Sequence, residues 1–175
     1  MRAALLLLVL LFFADPGRAE ELRAGERVPD FTITSLEGKP LKLSDLRGQR
    51  VLVYFWASWC GCAGDLPAWE KFYQNHRERN FELFAVAFDA HNPRHAESIY
   101  REHQVTFPRG IDRTDKLMAE LGLTSVPSAM LVDADGVIRY VKLRGFQPRD
   151  KEIMAGLERV LEETAPGAAA RDGGK

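Results

Sequence analysis

The sequence predicts an α/β domain: a central mixed β-sheet with helices on both faces and an N-terminal β-hairpin. Two nearly continuous apolar runs, residues 51–56 and 81–88, are typical of strands buried on both faces of a sheet. Between them lies one apolar helical stripe, formed by Leu66, Trp69, Phe72 and Tyr73. Strands that alternate with helices in this way indicate a sheet layered between helices.

The hairpin is predicted at the start of the domain. Residues 30–34 alternate between apolar and polar, Gly38 lies in a tight turn, and a second short strand follows at 41–43. Residues 44–46 predict a helical turn. The polar stretch 20–29 predicts a loose segment before the hairpin.

The second half of the chain predicts further helices and strands. Three helices are expected over residues 93–104, 115–121 and 150–162. A short extended piece begins at Phe107 and Pro108. Two strands, 129–132 and 137–143, are joined by the hairpin turn Asp-Ala-Asp-Gly.

The first 19 residues have the layout of a secretory signal peptide. A basic start precedes an apolar run over residues 3–14, and the small residues Gly17 and Ala19 predict cleavage after Ala19. This run is shorter than the roughly 20 apolar residues that span a bilayer. The alternative is an uncleaved signal that tethers the protein to a membrane.

Signal cleavage predicts a periplasmic or secreted protein without stable membrane insertion. Residues 20–164 form the expected domain and 165–175 a disordered tail. Removing residues 1–19 takes away Arg2, Arg18 and Asp15, so the formal charge moves from −1 to −2. So balanced a charge predicts no nucleic-acid partner. We expect a monomer.

The chain has two cysteines, Cys60 and Cys62, in the stretch WASWCGCAGDLP. They lie where a predicted buried strand turns into a helix, and a helix N-terminus favours a thiolate. We expect Cys60 to be the more exposed of the two and to act as the nucleophile, and Cys62 to resolve the mixed disulfide. A purely structural disulfide is the alternative, although so short a loop gives little stabilisation.

The segments PDFTITSLEGKPLKLSDLRGQRVLVYFWASWC and SVPSAMLVDADGVIRYVKLRG, with the helices that follow them, resemble the TlpA/ResA group of periplasmic thioredoxin-like proteins. The resemblance extends over most of the predicted domain and includes the wider redoxin (AhpC/TSA-like) class. It implies a thioredoxin-like fold and thiol–disulfide oxidoreductase activity, and it leaves an antioxidant activity open. Its implied partners are protein thiols or disulfides and a redox-recycling protein, with no cofactor.

The same resemblance implies a substrate-binding surface. A cis-proline lies opposite the cysteines in this family, and Pro127 after Val126 matches it. The backbone of Val126 is then expected to bind a substrate chain. We expect Trp59 to cover the site and contact substrate, and Trp56 to pack in the core beside it; the alternative places both in the core.

The spacing of the cysteines departs from the family, which has two residues between them. Counted from Pro67, Cys62 keeps the family position, so the missing residue falls between the cysteines. The alternative, with Ala63 replacing the second cysteine, needs a further deletion. Helical positions i and i+2 point about 200° apart, so Cys60 must stay in the loop while Gly61 takes an uncommon backbone conformation.

This spacing has a redox consequence. We expect a strained bridge, and about 2 kcal/mol of strain would raise the reduction potential by roughly 45 mV. Such a shift favours an isomerase or a mild oxidant over a strong reductant.

Four further positions differ from the family. Ala63 replaces a frequent Arg or Lys, and Tyr54 stands where thioredoxins carry a buried Asp and this family often an Asn, so it is not an obvious proton shuttle. Asp65 stands at a frequent Glu; it serves either as helix N-terminal charge or as acid/base near Cys62. Ser128, where the cytochrome c maturation branch has Glu, weakens a link to apocytochrome c.

Three other functions are alternatives to this activity. Two thiolates suit Cu(I), so a thioredoxin-fold metallochaperone is the main alternative, with His91 or His95 as a third ligand. Zinc is not expected at these histidines, and no resident metal is predicted. Peroxiredoxins carry Thr where this chain has Ala57, which argues against a peroxidase. A non-catalytic binding module is the last alternative.

Overall fold

The computed structural model describes residues 21–164. The predicted signal peptide and tail lie outside the described residues. The strands are β1 (Thr32–Ser35), β2 (Pro40–Lys42), β3 (Arg50–Trp56), β4 (Phe81–Phe88), β5 (Arg109–Asp112), β6 (Ser128–Val132) and β7 (Ile138–Lys142). The α-helices are α1 (Leu66–His76), α2 (Pro93–Glu102), α3 (Leu117–Glu120) and α4 (Lys151–Glu163). Short 3₁₀ helices cover Leu43–Leu46, Ala63–Asp65 and Arg77–Arg79.

The seven strands form one mixed sheet in the order β2-β1-β5-β4-β3-β6-β7. Strand β3 pairs parallel with β4 and antiparallel with β6, and β4 pairs parallel with β5. Strands β1 and β2 form the predicted antiparallel hairpin at one edge. This architecture confirms the predicted α/β class with a mixed sheet.

Every residue of strand β3 is buried, because the strand lies inside the sheet between β4 and β6. Leu52, Tyr54 and Trp56 point into the core under α1, α2 and α4. Val53 and Phe55 point to the other face, which is covered by α3, the first 3₁₀ helix and the N-terminal segment. Since both faces are covered, the strand carries an unbroken apolar run, as sheets under helices require.

The polar stretch 20–29 was predicted to be loose, and this prediction is wrong for its described part. Leu22 and Val28 are buried in the core on the face of the sheet to which Val53 and Phe55 point. The N–H of Gly25 donates to the carbonyl of Ile138 over 2.8 Å, and Arg27 forms a β-bridge with Val137. Two well-spaced apolar side chains therefore anchor an otherwise polar segment to β7.

The short extended piece predicted to begin at Phe107 and Pro108 is present as strand β5, which starts at Arg109. The sequence did not place this piece in the sheet, where β5 pairs between β1 and β4. At Gly110, an added Cβ would lie 2.4 Å from the carbonyl oxygen of Thr34, so only glycine permits this strand pairing.

Two predicted helices are shorter than expected. Helix α2 ends at Glu102, since Gln104 has a φ of 51°, and α3 starts after Asp115, whose φ is 56°. Both residues adopt the left-handed conformation, which a helix cannot include. None of the helices within residues 21–164 has the length and apolar character needed to cross a membrane.

Candidate active site

Cys60 and Cys62 form a disulfide in the loop between β3 and α1, with Cα atoms 5.3 Å apart. Cys62 immediately precedes the 3₁₀ helix Ala63–Asp65, which leads directly into α1. Cys60 remains in the loop and Gly61 has a φ of 71°, so the predicted conformations of these two residues are confirmed. The apolar strand β3 thus delivers both sulfurs to the N-terminal end of a helix.

The two sulfurs differ in exposure. Cys60 is partly buried, whereas Cys62 is 2% exposed. The backbone N–H of Cys62 donates to Sγ of Cys60 over 3.3 Å. An N–H directed at sulfur and a nearby helix N-terminus both stabilise negative charge, so this arrangement favours a thiolate on Cys60.

The active-site loop is held to the neighbouring strand by Asp89. This buried carboxylate accepts hydrogen bonds from the backbone N–H and the hydroxyl of Ser58, the former at 2.8 Å. Neither residue was singled out from the sequence. The available signal was that each follows a buried parallel strand, and the carboxyl ends of such strands meet at one edge.

The two tryptophans near the cysteines lie in different environments. Trp56 is fully buried, and its indole N–H donates to the hydroxyl of Tyr100 over 2.7 Å. Trp59 is 68% exposed, with its indole N–H 3.3 Å from the carbonyl oxygen of Phe88. One ring is therefore core and the other forms surface beside Cys60, which contradicts the alternative that both are core.

The Val126–Pro127 peptide bond is cis, as the resemblance implies. The carbonyl of Pro127 accepts from Phe146 N–H at 3.1 Å, and the buried hydroxyl of Ser128 donates to the carbonyl of Leu143 at 2.6 Å. Within residues 21–164, neither peptide group of Val126 makes a backbone hydrogen bond. The proline is therefore fixed by its neighbours, while Val126 keeps a donor and an acceptor available.

Asp65 is a buried carboxylate, with 8% of its surface exposed. It occupies the N-cap of α1, but its side chain accepts no capping hydrogen bond. Burial raises the pKa of Asp65, and the opposing charge of Arg149 offsets only part of this rise. The environment therefore favours a neutral acid over the predicted helix N-terminal charge.

A cavity of about 670 Å³ opens beside Trp59. Trp59, Phe88 and Met118 contribute apolar surface, and Asp89 and Asp112 contribute carboxylates. The cavity continues the surface of the active-site loop and is large enough to receive part of a polypeptide chain.

Within the described residues, His91 and His95, the histidines considered as a third copper ligand, are not grouped with the two cysteines. His91 pairs with Asp115 at 3.0 Å on the protein surface. Among residues 21–164, no group of three or more His, Cys, Asp or Glu side chains is arranged to hold a metal ion. The described residues offer Cu(I) two sulfurs without a grouped third ligand.

A disulfide lies between a central strand and a helix, and a cis-proline immediately precedes the strand that pairs with the same end of β3. This arrangement defines a thioredoxin-like thiol–disulfide oxidoreductase. Sequence comparison gives the narrower assignment: this chain belongs to the redoxin family, whose model (Redoxin) matches residues 23–157. Thiol-disulfide oxidoreductase ResA of Bacillus thuringiensis (strain Al Hakam) is 33% identical over 156 residues, covering 89% of this chain and 84% of that relative.

Solved structures share the same fold. A crystal structure from Chlorobium tepidum, described as a thiol:disulfide interchange protein DsbE, superposes with a TM-score of 0.73 at 29% identity, covering 82% of this chain and 99% of the other. A solution structure from Bacteroides thetaiotaomicron, described as a protein disulfide isomerase, has a TM-score of 0.71 at 30% identity, covering 86% and 95%. The protein is a thiol–disulfide oxidoreductase with a one-residue spacing between its cysteines.

Proposed function

We propose that this protein exchanges disulfides with protein substrates outside the cytoplasm, with Cys60 as the attacking and Cys62 as the resolving residue. The observation that carries the proposal is the asymmetry of the pair: one accessible sulfur that receives an N–H, and one buried sulfur at the helix start. In thiol–disulfide exchange the accessible thiolate reacts first.

The reaction balances in two steps. The Cys60 thiolate attacks a substrate disulfide, forming a Cys60–substrate bond and releasing one substrate sulfur as a thiolate. Deprotonated Cys62 then attacks Cys60, forming the Cys60–Cys62 bond and releasing the second substrate thiolate. Two electrons pass from the dithiol to the substrate, and each released thiolate takes up a proton. The reverse sequence oxidises a substrate dithiol.

The substrate chain is proposed to bind across Trp59 and the loop of Val126 and Pro127. The free peptide groups of Val126 can pair with an extended chain as a strand edge does. The exposed ring of Trp59 and the adjoining cavity provide contact area for side chains that flank the substrate cysteine. Ala57, Trp56 and Gly61 shape the loop beneath them.

The direction of exchange is proposed from the cysteine spacing, which favours an isomerase or a mild oxidant. Equilibration of the purified protein with glutathione, followed by mass analysis of alkylated Cys60 and Cys62, gives its reduction potential. A value above about −220 mV supports this direction. A value near or below about −270 mV contradicts it and supports a reductant.

The extracytoplasmic location is proposed from the sequence of residues 1–19. Fractionation of cells that produce the full chain, with mass analysis of the N-terminus, tests it. We expect a periplasmic or secreted protein that begins at Glu20. Retention in the cytoplasm with an intact N-terminus would contradict the proposed compartment without touching the chemistry of the cysteines.

A further inference from the structure

Three buried polar atoms near Cys62 have no hydrogen-bond partner: the hydroxyl of Tyr54, Oδ2 of Asp65 and Nε1 of Trp69. Tyr54 and Trp69 are fully buried and Asp65 nearly so. Buried polar groups are normally paired, because an unpaired one costs roughly 1–3 kcal/mol in desolvation. Three unpaired groups in one small region therefore indicate a function beyond packing.

The three side chains come from elements that meet beneath the disulfide. The rings of Tyr54 on β3 and Trp69 on α1 are 5.4 Å apart. Asp65 lies one helical turn before Trp69, and its charge acts on Tyr54. Tyr54, Trp69 and Cys62 also share one core cluster. The phenol and the indole can each donate a hydrogen bond, and Oδ2 of Asp65 lacks a donor.

The phenol of Tyr54 is suited to donate and not to ionise. Burial raises the pKa of Tyr54 most, the negative charge of Asp65 raises it further, and the polar side chain of Trp69 opposes only part of this rise, so the hydroxyl keeps its proton across the physiological range. A carboxylate in apolar surroundings is stable only if donors satisfy it. Tyr54 can therefore stabilise the ionised form of Asp65 without taking part in proton transfer itself.

We propose that Tyr54 is a positioning residue that keeps Asp65 competent as the base for Cys62. In the reduced protein its O–H donates to Oδ2 of Asp65, a hydrogen bond that the disulfide form does not make, and the N–H of Trp69 lies beside the same phenol. The inference rests on the proposed roles of Cys60 and Cys62. In the resolving step the Cys62 thiol passes its proton to Asp65, and its thiolate then forms the S–S bond with Cys60 while the Cys60–substrate bond breaks.

Other charged and titratable groups also act on Tyr54 and Asp65. Arg149, in the segment before α4, favours the ionised form of Asp65. Tyr100 on α2 interacts electrostatically with Tyr54 and is itself held neutral by burial. Cys62 is the proton donor. Removing the Tyr54 hydroxyl disfavours ionised Asp65, so the base should become available only at higher pH.

The test uses Tyr54→Phe, which removes the hydroxyl and retains the ring. The reduced protein is mixed with dithiobis(nitrobenzoate), whose coloured thiolate is released once when Cys60 attacks and once more when Cys62 resolves. We expect the midpoint of the second phase to move upward by about one pH unit, the size expected for one lost hydrogen bond to a carboxylate. The first phase should not change.

Tyr100→Phe is the matched control. It also removes a buried tyrosine hydroxyl, but one that already accepts from Trp56 and donates to the carbonyl of Gly110, and whose causes of pKa shift do not include Asp65. It should lower stability without moving the midpoint of either phase. Thermal unfolding of each variant confirms that the protein remains folded. Tyr54→Phe loses no hydrogen bond of the disulfide form, so we expect it to fold as the parent does.

Repeating the Tyr54→Phe substitution in a protein that already carries Asp65→Asn shows whether Tyr54 acts through Asp65. In Asp65→Asn the base is absent, and adding Tyr54→Phe should produce no further shift. An unchanged midpoint in Tyr54→Phe, or an equal shift in both backgrounds, would overturn the inference. Absence of a second phase in the parent protein would instead overturn the proposed role of Cys62, so the two failures are distinguishable.

Discussion

The two ends of helix α1 bury polar groups in opposite ways. At its C-terminal end, His76 contacts the carbonyl of Phe72 at 2.8 Å and the carboxylate of Glu158 at 3.0 Å. Arg50 nearby donates to the carbonyls of Leu161 and Arg79. At its N-terminal end, beside the disulfide, Asp65, Tyr54 and Trp69 leave polar atoms unpaired.

This difference separates stability from chemistry within one helix. Paired groups at the C-terminal end connect α1 and β3 to α4, so they stabilise the fold. Unpaired groups at the N-terminal end cost stability, and such costs are characteristic of functional sites. Arg50 is the partial exception, because its Nε lacks a partner although its other two nitrogens are bonded.

The largest effect is expected at the disulfide itself. Cys60→Ser should abolish exchange, lowering the rate by at least about a thousandfold, because the oxygen nucleophile does not react with disulfides under these conditions. Cys62→Ser should instead accumulate a mixed disulfide with a cysteine-containing protein substrate, detected by mass spectrometry under non-reducing conditions. Equal trapping by both variants would remove the assigned difference between the two sulfurs.

The next largest effect is expected at the opposite end of α1. His76→Ala should lower the free energy of unfolding by about 2–3 kcal/mol, because it removes a buried ring stacked on Phe72 and leaves Glu158 without its partner. Denaturant unfolding measures the loss, with Glu158→Gln as a milder control. The exchange rate of the folded fraction should stay unchanged; a fall in that rate would break the separation between the two ends.

A smaller effect is expected at the surface beside the disulfide. Trp59→Ala should lower kcat/KM for a protein disulfide by about tenfold, since an exposed aromatic ring supplies contact area for the substrate chain. The rate with a small disulfide reagent is the internal control and should hardly change. If both substrates are affected alike, Trp59 shapes the loop around Cys60 and does not bind the substrate chain.

The smallest effect is expected at Asp65, where a substitution should raise the stability of the protein and not lower it. Its raised pKa means that the folded protein disfavours the carboxylate, so stability falls as pH rises from the unfolded value of 3.8 through the folded value. Asp65→Asn avoids this cost and should stabilise the disulfide form by about 1 kcal/mol at neutral pH. The gain should vanish below pH ~3.8.

Thermal unfolding as a function of pH measures this gain, and Asp89→Asn is the control. Asp89 is also buried but already accepts two hydrogen bonds from Ser58, so its replacement should destabilise. A destabilised Asp65→Asn would mean that the ionised carboxylate has partners in solution and that the N-terminal end of α1 is not the costly one.

The sequence predicts the central strands and the redox loop well, because their signals are local. The apolar run 81–88 matches β4 at both ends and the run 51–56 is one residue shorter than β3. The uncommon backbone conformation of Gly61 follows from helix geometry once Cys62 is given the family position. Strand β5 was predicted only as a short extended piece, because four residues after a proline carry little pattern and the place of β5 in the sheet depends on pairing with distant β1.

The chemistry of the site is harder to predict from the sequence, because it depends on contacts between residues that are distant along the chain. The spacing identifies Asp65 as the nearest carboxylate, but its burial and the charge of Arg149 that acts on it are properties of the packed structure. Tyr54 was read as a departure from the family without a role. Only the packed structure shows that its hydroxyl and the carboxyl of Asp65 are unpaired neighbours.

Gly61 shows how the shortened loop limits its own sequence. A Cβ added there would meet no atom within 4 Å, so the position has space for a methyl group. The restriction comes from the φ of 71°, which L-amino acids rarely adopt. The residue at position 61 is therefore restricted by its chirality and not by the volume of its side chain. A semisynthetic protein with D-alanine at position 61 should close the same bridge, whereas its L-alanine mirror counterpart should close it poorly.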